Sequence, residues 1–313
     1  SIGSFMDPMG GGILNFTDVT GVSVLNSDFD GNTVQMTNTG SMMMFGPVFN
    51  ANRAESARME NCTFANNDVM ATAMMGMGGM ADFFSVTDLA VSNVVYQGNT
   101  VRYQAGSLMG SMLLVMGIDT ATIRDIDTVD NRVDFTGGSG GGMTGPLALI
   151  SGGDALIENI LSDGNRFLSN ELFYGGALTV QGYDNVAIDT VDITDLSITS
   201  YSLGGGAIYT NGTNNLLTID GLDVTNLSIS TVSLQGGLLY VYNGGLSVTG
   251  LAYSGLDIRA TGSVDGMMHY IMDIRSFDFP RVIDVPAVPH MRLDDSFYGL
   301  VRINPNAAEN VPV

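Results

Sequence analysis

A pattern of eight residues, apolar-x-apolar-x-x-apolar-x-apolar, returns about every thirty positions along this chain. Its copies start at Val22, Ala57, Leu89, Ala121, Ala155, Val186, Leu217 and Leu246, with a partial ninth at Phe277, so the steps are 35, 32, 32, 34, 31, 31, 29 and 31 residues. Within a copy the first and third residues alternate as those of a strand do, and the two residues that follow break the period of two, which predicts a tight bend. The second residue of that pair reads Asn26, Asn61, Asn93, Asp125, Asn159, Thr190, Gly221, Gly250 and Arg281. Asn and Asp bond their own backbone and Gly has no Cβ, so most of these residues tolerate a left-handed conformation.

Other columns follow the same register. Ten residues after each start stand Asn32, Asn67, Asn99, Asn131, Asn165, Leu196, Leu227 and Leu256; twelve after stand Val34, Val69, Val101, Val133, Phe167, Ile198, Ile229 and Ile258. A glycine then precedes a third strand: Gly40, Gly79, Gly110, Gly145, Gly176, Gly206, Gly237 and Gly266. Three short strands per repeat without helical periodicity predict an all-β chain, a parallel β-helix of about eight to nine three-stranded coils. At a strand spacing of about 4.8 Å the rod would be roughly 43 Å long. The expected division is an N-terminal arm or cap over 1–12, the β-helix over 13–279 and a Pro-rich tail over 280–313, which holds Pro280, Pro286, Pro289, Pro305 and Pro312 and where pairing is expected to stop.

Gly175-Gly176-Ala177-Leu178 and Gly205-Gly206-Ala207-Ile208 resemble the Gly-Gly-Ala-apolar element of polymorphic outer-membrane protein repeats. Phe29 to Asn32 and Phe64 to Asn67 are similar to the Phe-x-x-Asn element of the same repeats, with Tyr96 to Asn99 a near match. The Asn-bearing bend resembles the turn of right-handed β-helices in the pectin-lyase-like superfamily. The likeness covers residues 13 to 279 and departs after Asn165, where Leu takes over the column. It implies a right-handed, surface-exposed, secreted β-helix and names no substrate.

Composition narrows the function. The 313 residues carry a net charge of −21, which argues against nucleic acid or an anionic membrane as partner. All eleven basic residues are Arg; without Lys, P-loop, Schiff-base and pyridoxal phosphate chemistry are excluded. The longest apolar stretch, near Met109 to Ile118, is too short and Gly-interrupted to span a bilayer. No signal-peptide pattern precedes Ser1, so either none exists or Ser1 begins a processed or trimmed chain. Cys62 reads as a buried apolar thiol, its column mates being Ser27, Val94, Ile126, Ile160, Val191, Leu222 and Leu251. Sequons at Asn15, Asn61, Asn211 and Asn226 could carry glycans, Asn61 least readily because it stands beside the core.

Three stretches, Gly46 to Glu55, Met70 to Gly79 and Thr136 to Gly145, read as loops on the flank, the Gly137–Gly142 run included. Catalytic candidates, in the style of pectin-lyase-like enzymes, are Asp294, Asp295, His269, His290, Arg275 and Arg292, but they gather at the C-terminal end rather than midway along a sheet. Glu60, Glu158, Asp189 and Asp220 form an acidic row that keeps the rod soluble and could hold calcium; no other cofactor is implied.

The strand after each glycine is apolar on both faces: Met42 to Phe45, Met112 to Met116, Leu147 to Ile150, Leu238 to Tyr242 and Met267 to Met272. Such a strand expects cover on both sides, from the tail, a polymer or another copy. The expected function is a noncatalytic extracellular or cell-surface structural subunit that self-associates into a filament or layer through the sheet holding Met43, Leu114, Leu149, Tyr209 and Tyr240. The alternatives are a carbohydrate-active β-helix enzyme and an adhesin passenger domain.

Overall fold

The computed structural model describes residues 13–37, 43–212, 216–266, 268–278, 290–293 and 301–304, all β or connecting turns and bends, with no helix. The chain is a parallel β-solenoid of about seven turns. Two sheets of 13 and 12 strands run the length of the stack, and every pairing is between one coil and the next. The eightfold pattern is the stacking register itself: Val22 pairs with Ala57, Ala57 with Leu89, Ala121 with Leu89 and Ala155, Val186 with Ala155 and Leu217, and Leu217 with Leu246. These seven steps are regular. The eighth, Leu246 to Phe277, follows a register shift between Gly244 and Gly245, so the expected eight to nine coils reduce to about seven.

Left-handed residues make the corners. Asn26, Asn61, Asn93, Asp125, Asn159, Thr190, Gly221 and Gly250 all have φ between 49° and 81°. The sequence pattern shows this corner, but the coil has others that it does not show. Asp18, Arg53, Ser85, Gly117, Ser151, Gly182 and Gly212 form a second corner column; Gly31, Asn66, Gly98, Asp130, Gly164, Asp195, Asn226 and Gly255 form a third. The fourth holds Gly78, Gly110, Gly175, Gly205, Gly236 and Gly266. Gly110 and Gly266 therefore stand one place earlier than the glycine column expected for them. Pairing continues around these bends, so strands such as Ala81–Gln97 and Leu178–Thr194 each run for 17 residues instead of three short strands.

Beside the fourth corner the backbones of successive coils nearly touch. A Cβ on Gly176 would come 1.9 Å from the Gly206 carbonyl oxygen, and one on Gly206 would come 2.0 Å from that of Gly237. Only glycine lets the coils close there at strand spacing.

The core is one continuous cluster from Val22 to Ile271, including Cys62 and Val191 at 1% and 0% exposure. Burial pushes the Cys62 thiol above its ordinary pKa. From the half-buried Asn32 into the core, Asn32, Asn67, Asn99, Asn131 and Asn165 form a ladder. Each Oδ1 from Asn67 onward accepts from both the backbone N–H and the side-chain Nδ2 of the preceding Asn, at 2.9–3.1 Å.

The stretches expected as flank loops are instead part of the sheets. Gly46 to Glu55 enters the strand Phe49–Ala65, and Met70 onward belongs to Asp68–Met77. Thr136 to Thr144 lies in Arg132–Thr144, where the extra residues are absorbed by an irregularity between Gly137 and Gly142. Pairing does not stop at Pro280 either: His290–Leu293 pairs with Asp257–Ala260, and Val301–Asn304 with His269–Asp278. The five prolines of the tail lie outside the described residues.

Candidate functional site

The doubly apolar strand sits where the solenoid folds in on itself. After the glycine corner the chain starts the first sheet, and side chains pointing out of the core there face the end of the second sheet. One outward column runs Asn15, Asn50, Asp82, Leu114, Ala148, Thr179, Tyr209, Tyr240 and Tyr270. The facing column contains Phe45, Met77, Met109, Thr144 and Tyr174. The two close into a seam.

In the N-terminal and middle coils the seam is a second, small hydrophobic cluster: Phe45, Met77, Leu114, Ala148 and Ile150, with Met75, Phe84, Met109 and Met116 against it. Thus the second face of the apolar strand is covered by the chain's own coils. Of the residues expected to meet a neighbouring copy, Leu114 is 0% exposed inside this cluster, and Leu149 points the other way into the main core. Both are corrections, because a strand covered on both sides within its own coil has no face left for a second chain. Met43 lies in the strand Met43–Phe45 at the same seam. Towards the C-terminus the seam holds tyrosines. Tyr174, Tyr209, Tyr240 and Tyr270 follow one another at ring-centroid spacings of 4.6, 4.6 and 4.8 Å. Tyr209 is buried and Tyr240 half-buried, and burial raises the Tyr209 pKa to about 12. Because Tyr209, Tyr240 and Tyr270 stack face on face, they offer edges and hydroxyls rather than open ring faces to a ligand.

At the other end of the column Asp82 is fully buried, and burial alone pushes its carboxyl well above the usual range. Neither of its oxygens has a hydrogen-bond partner among the described residues; the same holds for Oδ1 of Asn50 and of Asn52. Reading periodicity alone missed these three. A signal was present, since Asp82 is an acid inside the otherwise apolar run Met80 to Phe84.

The remaining candidates are dispersed. His269 occupies the core column of Leu113, Leu147, Leu178, Ile208 and Leu239, and burial lowers its pKa to about 4. His290 and Arg292 lie on the second sheet and Arg275 on the first, while Asp294 and Asp295 fall outside the described residues. Glu158, Asp189 and Asp220 are consecutive rungs, but Ser92 and Arg124 separate them from Glu60. Among the described residues no three His, Cys, Asp or Glu side chains are grouped to hold a metal. Asn15, Asn211 and Asn226 are all exposed; the Asn226 amide donates to Asp195 at 2.9 Å and the Asn15 oxygen accepts from Asn50 at 2.7 Å. Asn61 is exposed at its corner beside the buried Cys62, and its amide links Asn26 to Asn93.

On the first sheet two shallow grooves of about 430 and 450 Å³ share Thr120 and Thr122 and follow the rod from Val22 to Thr218. Their acids, Asp88 and Asp154, are separated by the Thr120 rung, and Asp154 accepts from Asn185 at 2.7 Å. No helix among the described residues is long and apolar enough to cross a membrane. No protein-family model, curated protein or solved structure matches this chain.

Proposed function

We propose that this chain is a noncatalytic structural rod of the extracellular space or cell surface that joins end to end with copies of itself. The observation that carries the reading is the state of the strand edges. Among the described residues, the 12-residue strand Leu14–Leu25 pairs only with Phe49–Ala65, and Val301–Asn304 pairs only with His269–Asp278. An open edge of that length templates another strand. Seven successive coil steps share one stacking register, so a coil from a second copy is geometrically one more rung. A head-to-tail contact of this kind is heterologous and propagates. The seam moves the expected contact from the flank to the ends, with Asn15 exposed and Tyr240 half-buried in the column. The likeness of the Gly-Gly-Ala and Phe-x-x-Asn elements to outer-membrane protein repeats, and of the bend to pectin-lyase-like proteins, favours a surface location, with Asn15, Asn211 and Asn226 as glycan acceptors.

Sedimentation velocity and electron microscopy across a concentration series test the proposal. Wild-type protein is expected to form filaments, and lysines at the exposed positions Thr17 and Ser23 are expected to abolish them without changing the melting temperature. A wild type that stays monomeric at every concentration sinks the reading. The long groove favours a second reading, a polysaccharide-binding enzyme or adhesin. Cleavage or retention of an acidic polysaccharide by the monomeric rod would put it first.

A further inference from the structure

We infer that the N-terminal end of the seam is a cation site, in which Asp82, Asn50 and Asn52 supply oxygen ligands to a hard cation of the calcium class. Asn50 and Asp82 are direct neighbours on adjacent coils, and Asn52, two residues on in the same strand, faces the same side. All three are buried, at 1%, 0% and 5% exposure. What they bring together is one-sided: two carboxylate oxygens and two amide oxygens, every one an acceptor without a donor among the described residues. The Asn50 Nδ2 donates to Asn15 Oδ1 at 2.7 Å. That bond points the nitrogen to the preceding coil and leaves Oδ1 on the Asp82 side.

No basic side chain offsets the charge from the same column. The next rungs are Leu114 and Ala148, the facing column supplies Phe45 and Met77, and Arg53 at the adjoining corner is committed to Asp18. The carboxylate is also closely cased, since a Cβ on Gly46 or Gly78 would come within 3.0 or 2.9 Å of the Asp82 Cβ. Burying an unpaired charge or an unpaired amide is expensive, so such a cluster persists only if something satisfies it. A proton on Asp82 would serve a single oxygen pair and leave Asn52 Oδ1 orphaned. A divalent cation would offer these acceptor oxygens a common partner and offset the carboxylate charge of Asp82, leaving one positive charge.

The corner can add a main-chain ligand. In the same column three rungs on, Thr179 Oγ1 reaches the Tyr174 carbonyl at 2.8 Å, and Met77 stands in the column of Tyr174. Carboxylate, amide and main-chain oxygens together are the ligand set of calcium; the nearby soft group is the thioether of Met77 in the facing column, and no imidazole or thiolate joins it. The acidic row on the rod's surface has no part in it.

The test uses the whole chain, stripped with EDTA and then titrated with calcium chloride. One calcium ion per chain is expected by calorimetry and metal analysis, together with a rise of several degrees in melting temperature over the EDTA form. Asp82→Asn keeps the shape and removes the charge; it should fold, bind no calcium there and show one melting temperature in calcium and EDTA. Asp189→Asn, on the exposed row, should keep the full calcium response. Absence of bound calcium from the wild type overturns the site. So does a wild type whose stability, indifferent to calcium, declines from pH 4 to pH 8 while that of Asp82→Asn stays level. That result identifies a buried proton, because a carboxyl with a raised folded pKa loses stability as the pH climbs above its unfolded value.

Discussion

The solenoid fills one core position in two ways. From Asn32 to Asn165 it is an amide ladder; from Leu196 to Leu256 the same column is leucine, buried to 4% exposure or less. In the ladder half, Phe29, Phe64 and Tyr96 stack at 4.6 and 5.0 Å on the strand beside the amides, and the carbonyls of those aromatics accept from Asn67, Asn99 and Asn131. The same column continues as Thr128 and Ser162 inside the ladder half and as Ile193, Val224 and Tyr253 in the leucine half. The backbone path is the same in both. The coil outline therefore comes from the left-handed corners and the glycine contacts, and the core column needs only to be satisfied, by hydrogen bonds in one half and by apolar area in the other. Their failure modes differ. An amide ladder is a network whose members depend on both neighbours, whereas a leucine stack loses only the area and volume removed.

The largest effect is expected from a charge in the leucine half. Val191→Asp places a carboxylate at a fully buried position between Ile160 and Leu222, with no ladder to receive it. The expected loss is about 4 kcal/mol or more, read from denaturant unfolding. A repeat protein depends on neighbour contacts, so hydrogen exchange should show the coils around Val191 opening before the ladder half. Unchanged stability would refute the register.

Almost as large is the expected effect of breaking the ladder. Asn99→Leu leaves the Asn67 N–H, the Asn67 amide and the Phe64 carbonyl without the partners they have at 3.0, 2.9 and 2.7 Å. At about 1–3 kcal/mol for each orphaned buried group, the loss should be about 4 kcal/mol although the new side chain is more apolar. The converse exchange sharpens the comparison. Leu227→Asn, flanked by leucines, should cost about 3 kcal/mol, whereas Leu196→Asn adds a rung to Asn165 and should cost about 1 kcal/mol. Equal costs for these two would mean that the amides act singly and not as a ladder.

A further pH effect is expected near the C-terminal end of the described stack. His269 replaces the leucine of its core column, and its folded pKa of about 4 lies below the ordinary 6.5. The folded state therefore prefers the neutral ring. Its stability is full above about pH 6.5 and declines as the pH falls towards 4, by about 3 kcal/mol in all at 1.36 kcal/mol per unit. His269→Leu restores the column and should flatten that part of the pH profile. A variant with the wild-type acid sensitivity would place the titrating group elsewhere.

What was legible in the sequence was whatever repeats. Periodicity gave the strand register from Val22 to Phe277, the Asn and Leu columns and one left-handed corner, because a residue that stacks on its own equivalent must recur at coil spacing. The second corner was hidden because Ser85, Ser151 and Arg53 share no residue type with Gly117, Gly182 and Gly212, whereas the third and fourth, built of Gly, Asn and Asp, did carry a signal in the sequence. The seam was hidden for a different reason. That an apolar strand needs cover is a sequence property; that its own coil turns back to cover it is set by the fourth corner and shows only in three dimensions. Asp82 was missed because one acid in one coil is no pattern, and it is informative for that reason.

The smallest expected effect tests the corners directly. Thr190 has φ 60°, where a β-branched side chain is strained, in a column otherwise held by Asn, Asp and Gly. Its neighbours show what the column favours: Asn61 donates to Asn26 at 3.1 Å, Asn93 to Asn61 at 2.6 Å and Asn159 to Asp125 at 2.9 Å, always from one coil to the coil before. An Asn at 190 would donate in the same way to Asn159, and the bond lost, Thr190 Oγ1 to Asp189 at 3.0 Å, is exposed and weak. Thr190→Asn should therefore gain about 1 kcal/mol and raise the melting temperature by about 1–2 °C in a chain of this size. Thr190→Gly relieves the same strain without the amide and gives up entropy in the unfolded chain, so it should gain less. If Gly equals or exceeds Asn, the corner owes its stability to backbone strain alone and the exposed amide chain contributes nothing.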